Sequence, residues 1–283
     1  MATNTQANIA AYMQTIFDDA MFIARDVVLM PRLVTQFSDT TDESKTRTSS
    51  IYGSLTMATL GETDDLASQS FTPAALATLT PSESGGQVFI TDKRISSDPF
   101  GAQNDASLEL GAAMGAKINT DLLDDMANFT GGTVGAAGTV ITWGHFFAAR
   151  TQLKATKAPM PYRCVLHEYQ WHVLAKAVAP AATVTNAPQF QDEITRQWYA
   201  GSVAGVDIFT TSDITIDGSG DAKGGMFSPS ALALDGRRAP RIEPERDASR
   251  RGWELNETAV YAHGVWRAAF GILLHFDAAV PSS

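Results

Sequence analysis

The groups in this chain that could bind a metal or attack a substrate are five histidines, one cysteine and scattered carboxylates. His167 and His172 flank Glu168 in a fashion superficially like the zinc-protease helix, but that motif needs imidazoles four residues apart. Five residues turn a helix about 140° past alignment, so these two cannot chelate together. Asp217, Ser219 and Asp221 alternate oxygen ligands as calcium loops do, yet the closing glutamate and flanking helices of an EF-hand are missing, and a surface turn is the expected reading. Glu62, Asp64 and Asp65 lie in a polar stretch where carboxylates are ordinarily solvated. Cys164 sits among Tyr, Val and Leu, where a thiol acts as a small apolar group. The glycines of GGTVGAAGTV (131–140) follow a helix rather than a strand and lack the Lys-Ser or Lys-Thr of a phosphate loop, so they read as a C-cap and turn. No G-x-S-x-G or G-x-G-x-x-G occurs. His145, His263 and His275 form no motif. The inventory supplies no active site, no cofactor site and no metal site, and weight moves toward a non-enzyme that works by contacts.

Arg237, Arg238, Arg241, Arg246, Arg250 and Arg251 are the one basic concentration, but Asp235, Glu243, Glu245 and Asp247 are interleaved. Self-neutralising ion pairs or intersubunit salt bridges are expected there rather than nucleic-acid contact. The whole chain argues the same way: 283 residues with a net charge of −10 lack the cationic surface that displaces counterions from DNA. Charged residues are 18%, below the ~25% of an ordinary domain, which leaves neutral surface suited to subunit contact. A single cysteine excludes an internal disulfide framework. Arg25 is the first basic residue and the apolar runs are short, so neither a signal peptide nor a membrane span is expected, and synthesis and folding are assigned to a cytosol.

The elements that would position these residues follow from periodicity. Asn8–Met30 repeats apolar residues at helical spacing and stops at Pro31; it is either a core helix or a terminal arm buried against a neighbour. Residues 38–50 are a polar connection. Strands are expected at Ile51–Thr59, Phe71–Leu79 and Gln87–Thr91, with the polar stretch GETDDLASQS (61–70) between the first two, together a protruding hairpin that finds its partners elsewhere. Asp105 is the expected N-cap of a long helix running to about Phe129, roughly 35 Å at 1.5 Å per residue, with Gly111 and Gly115 allowing close approach to its backbone. Then come a helix at Thr142–Thr156, a strand at Tyr162–Leu166, helices at Glu168–Val178 and Phe190–Tyr199, strands at Val203–Ser212 and Gly225–Leu234 around a polar turn (213–224), and closing strands within Gly252–Asp277.

This order of elements, with the segments GQVFITDKRISSDPF (86–100), WYAGSVAGVDIFTTSDI (198–214) and AVYAHGVWRAAFGILLHFD (259–277), resembles the major capsid protein of tailed bacteriophages, the Hong Kong phage coat fold, over nearly the whole chain. The resemblance implies an α+β fold with an N-terminal arm (1–44), an extended β-hairpin loop (45–97), a peripheral domain with the spine helix (98–141), an axial domain (142–251) and returning peripheral strands (252–283). It implies a subunit that self-assembles as hexamers and pentamers into an icosahedral virion shell enclosing double-stranded DNA, in the host cytoplasm and without a membrane. Expected contact residues are Ile16, Phe17 and Ile23 in the arm, Glu62, Asp64 and Asp65 in the loop, and the six arginines. Some coat proteins weld subunits through a loop lysine, but no Lys lies between Thr46 and Asp92, so a noncovalent shell is expected. No long helical prosegment is seen and Met1 reads as an unprocessed start, so a separate scaffolding protein is the implied partner, with a portal and a decoration protein. Two alternatives stand beside this reading. One is an encapsulin compartment, distinguished by an inward cargo-docking helix; the other is a soluble enzyme dependent on calcium at Asp217–Asp221.

Overall fold

A computed structural model describes residues 29–38, 43–53, 55–62, 65–66, 68–97, 102–178 and 199–281. Most of the expected helix Asn8–Met30, the contact residues Ile16, Phe17, Ile23 and Asp64, and the expected helix Phe190–Tyr199 up to Trp198 lie outside them.

The strands are β1 (Thr35–Ser38), β2 (Arg47–Tyr52), β3 (Pro73–Leu79), β4 (Ser82–Thr91), β5 (Thr133–Gly135), β6 (Tyr162–His167), β7 (Tyr199–Val203), β8 (Val206–Thr211), β9 (Asp221–Phe227), β10 (Leu232–Asp247), β11 (Gly252–Val265) and β12 (Gly271–Asp277). The helices are α1 (Asp92–Ser97), α2 (Ala102–Asp124), α3 (Trp143–Ala155) and α4 (Glu168–Val178). They arrange as a four-stranded sheet β1-β10-β11-β4, a six-stranded sheet β5-β12-β9-β6-β8-β7 and a two-stranded ribbon β2-β3.

The six-stranded sheet is covered on both faces, and the alternation of side chains along its strands shows how. Cys164, Leu166, Ile208 and Met226 point to one face, where α3 and α4 add Phe146, Leu153, Trp171 and Leu174. Val165, Phe209 and Phe227 point to the other, against Met30, Leu33, Leu122, Leu123 and Met126. Strands buried on both sides read as apolar runs, and in Tyr162–Leu166 the one charged residue, Arg163, donates to Arg32 O at 3.0 Å. The helix α3 starts at an N-cap, Thr142, whose Oγ1 accepts a hydrogen bond from the His145 backbone N–H at 3.3 Å.

The spine helix α2 packs on the four-stranded sheet, its Leu110 beside Ile90 and Leu255 and its Met114 beside Ala259 and Tyr261. Gly111 and Gly115 are buried on it, as the expected close approach requires. The helix begins at Ala102, one turn before the expected cap. Asp105 therefore stands in the first turn, where a carboxylate complements the helix dipole. After Asp124 the helix tightens into a 3₁₀ turn, Asp125–Asn128. Buried Asn119 fixes what precedes β1: its Oδ1 accepts from the Met30 N–H at 3.0 Å and its Nδ2 donates to Asp213 Oδ2 at 2.5 Å.

Expected and formed strands differ in several places: Gln87–Thr91 starts earlier, at Ser82, and pairs with β11 in the four-stranded sheet. The first expected strand lies at Arg47–Tyr52 rather than Ile51–Thr59. The stretch Val203–Ser212 splits into the hairpin β7–β8, turning at Ala204 and Gly205, both with positive φ. Gly225–Leu234 is broken because Pro229 opens a 3₁₀ turn, Pro229–Ala231, and has no N–H to give a ladder. At that break the chain leaves the six-stranded sheet for the four-stranded one; it returns through a second 3₁₀ turn, Ala268–Phe270. The two crossings are hydrogen-bonded to each other, Trp266 N to Ala231 O at 2.7 Å and Ser228 N to Phe270 O at 3.0 Å. The position 251/252, expected as a domain boundary, thus falls in the turn between paired strands β10 and β11, and β12 joins the sheet built from 133–227.

Candidate intersubunit surfaces

The ribbon β2–β3 is anchored at one end and bare at the other. At its base Leu79 is 1% exposed in a cluster with Ala233, Ala262, Phe37 and Trp266. Arg47 donates from Nε to Asp235 Oδ2 at 2.7 Å and stands over the Phe37 ring. Toward its tip Met57 is 93% exposed, Leu66 78% and Phe71 61%, and Tyr52, Leu55 and Leu60 are each about half exposed. Tyr52 and Phe71 stack at 4.5 Å, and Gln69 clamps the backbone of Thr56 from both sides, its Oε1 accepting from Thr56 N and its Nε2 donating to Thr56 O. Single exposed apolar residues need no explanation, but six gathered on one loop of low charge mark a surface made to be covered. Glu62 and Asp65 are exposed at this tip, Asp65 Oδ1 accepting from its neighbour Leu66 N at 2.9 Å.

The arginines lie along β10 and the turn to β11, and most are satisfied within the chain. Arg237 is 3% exposed and paired at 2.7 Å with buried Asp235, so it presents nothing to a neighbour. Arg238 bridges Glu43 and Glu83; Arg241 pairs with Glu243. Arg246 holds Asp92 through two nitrogens, at 3.1 and 2.8 Å, and donates to Gly252 O. Arg250 pairs with Glu254 and covers the Phe89 ring. Arg251 is exposed in the tight turn with φ +53°, its carbonyl accepting from Asp92 N. Two of the interleaved carboxylates, Asp235 and Glu243, and four from elsewhere in the chain, Glu43, Glu83, Asp92 and Glu254, thus neutralise most of the basic run in cis.

A polar junction joins the end of α2 to β11. His263 Nδ1 lies 2.8 Å from Asp125 Oδ2, and Tyr261 donates to Asp121 Oδ2 at 2.7 Å, with Lys117 on the other Asp121 oxygen. The hydrogen bond to Asp125 raises the His263 pKa against the effect of burial. Burial alone would raise the Asp121 carboxyl, but the hydrogen bonds from Lys117 and Tyr261 outweigh it and hold it below its usual range. Glu257, 2% exposed on central strand β11, is pushed up to about 7 by burial.

The remaining chemistry-bearing groups fall as follows. His167 is buried, its Nδ1 accepting from Tyr169 N at 3.1 Å, while His172 is exposed on α4. Cys164 is fully buried and its thiol pKa is driven far upward by desolvation, which removes it as a nucleophile. The DGSGD stretch is a turn in which Asp217 Oδ1 accepts from Ser219 N and Asp221 N, but the fold also brings His275 of β12 beside it. Gly135 belongs to a close crossing, since a Cβ there would lie 2.4 Å from His275 O. No helix among the described residues is long and apolar enough to cross a membrane.

A family model described as phage capsid protein matches residues 76–272. No curated protein matches in sequence. Among solved structures, a capsid chain of the cyanophage P-SCSP1u is similar with a TM-score of 0.68 and 16% identity, covering 89% of each chain. The cyanophage Pam1 capsid gives 0.67 at 12% identity over 88% of this chain and 89% of that one. The virus-like particle from Pyrococcus furiosus gives 0.64 at 7% identity over 93% and 99%.

Proposed function

This chain belongs to the phage capsid protein family, and from that membership we propose that it is a major capsid protein, a subunit that associates with its own copies as hexamers and pentamers to form an icosahedral shell around double-stranded DNA. The family match favours this over an encapsulin compartment, and a structural role over an enzymatic one. The observation that carries the reading is the ribbon β2–β3: a base locked into the body by Leu79 and Arg47, and a tip with six apolar side chains, three well exposed and three about half exposed. Such a tip is stable in water only as a minor component of the surface, and a neighbouring subunit that covers it removes apolar area at about 25 cal/mol per Å². Each contact needs only modest strength, because a subunit held by several neighbours leaves only when all release it.

Charge supports the container role. At −10 per chain, a wall of such subunits repels packaged DNA rather than gripping it. A scaffolding protein, a portal and a decoration protein are its proposed partners, and host cytoplasm its place of assembly. Sedimentation of the purified protein, alone and with scaffold, tests the reading: rings of five and six subunits and closed shells are expected, and a monomer or dimer that never assembles at high concentration contradicts it.

A further inference from the structure

We propose that Asp217, Asp221 and His275 bind one divalent transition-metal ion of the zinc class at the end of the six-stranded sheet where β9 begins and β12 finishes. The register brings the residues together. Asp221 faces Asp277 across the β9–β12 pair, so His275, two residues back on β12, lies diagonal to Asp221 on the same face. The bridge between Ile216 and Ala222 and the hydrogen bond from Asp217 N to Asp221 O fold Asp217 back over them. One carboxylate oxygen of each aspartate and one ring nitrogen of His275 lie within 4.8 Å of one another.

Polar accounting independently points to a ligand. Asp221 is 2% exposed; its Oδ1 accepts from Gly138 N at 2.7 Å, while its Oδ2 has no hydrogen-bond partner. His275 Nε2 is likewise buried and without a partner. A buried polar atom left unpaired is costly, and two that both present lone pairs side by side share one remedy, a cation that accepts both. Asp217 keeps its Oδ2 for the same ion, since its Oδ1 serves the turn. An imidazole with two carboxylates is a donor set for zinc and its transition-metal neighbours, whereas calcium and magnesium prefer oxygen alone. Asp217 is exposed, which gives the ion an entry path. The ion would pin the 217–221 turn to β12, and this holds whether or not the chain forms shells.

The test is calorimetric titration of chelator-treated full-length protein with zinc chloride, with thermal melts in parallel. One zinc per chain is expected, with a Tm rise on the order of 5 °C at a hundredfold excess over Kd. His275→Gln and Asp221→Asn should weaken binding at least tenfold. Asp217→Asn, altering an exposed side chain, should do the same without loss of fold, shown by an unchanged melt in the absence of metal. Absence of stoichiometric zinc uptake, as when a buried water fills the gap, overturns the proposal. So does zinc affinity unchanged in all three variants, or calcium binding that is insensitive to His275→Gln and stronger than zinc binding.

Discussion

Asp235 accepts both Arg47 and Arg237, and it is the residue on which the base of the ribbon and strand β10 converge. Removing one member of a buried ion pair strands the other in low dielectric, so Asp235→Ala should destabilise the subunit by about 3–5 kcal/mol, read from the urea midpoint. An unchanged midpoint would show that the pair contributes little. Glu257 makes a prediction of opposite sense. Its acid form is favoured by folding, so the stability that accompanies it is complete below the unfolded value of 4.5 and is lost as pH rises through about 7. Glu257→Gln should match the wild type near pH 4.5 and exceed it at pH 8, by an amount on the order of 2 kcal/mol. Parallel pH profiles of Tm for the two proteins would refute this. His263 acts in the same direction: its raised pKa gives stability present below pH 6.5 and lost as pH rises through the folded value.

At the scale of elements, the ribbon is where assembly and folding separate. Its tip is exposed in the single subunit, so Met57→Asp with Leu66→Asp should leave the subunit melt within about 0.5 kcal/mol of wild type while abolishing shells, checked by melting and sedimentation together. A variant that still assembles would remove the ribbon from the account. Much of this layer was legible in the sequence. The limits of α4 match those expected, and α3 and β6 differ by a residue, because Thr142, Pro159 and the apolar stretch Cys164–Leu166 mark them locally. Local signals could not show that Pro229 moves the chain from one sheet to another, since the partner of β10 is β11 and the register between them is set by tertiary packing. The loop was expected to engage neighbours through Glu62, Asp64 and Asp65; the more telling residues, Met57, Leu66 and Phe71, were visible as apolar intrusions in a polar stretch. Of the carboxylates interleaved with the arginines, Asp235 and Glu243 pair with them; Glu43, Glu83, Asp92 and Glu254 reach them from distant segments, β4, α1 and β11 among them, which no local signal joins. His275 is 54 residues from Asp221, and only the β9–β12 register unites them.

For the whole molecule, a six-stranded sheet covered on both faces and a four-stranded sheet carrying the spine helix form the body, and the ribbon adds an exposed apolar tip. That division suits a subunit that folds before it assembles. No lysine lies between Thr46 and Asp92, so shells boiled in detergent should run as a single monomer band, and a ladder of multiples would show covalent joining that this account lacks. The most direct test of the central claim is a cryo-electron microscopy reconstruction of particles assembled from this chain. Closed icosahedral shells are expected, with Met57, Leu66 and Phe71 buried against an adjacent subunit. Shells in which that tip remains in solvent, or a protein that forms no particle, would contradict it.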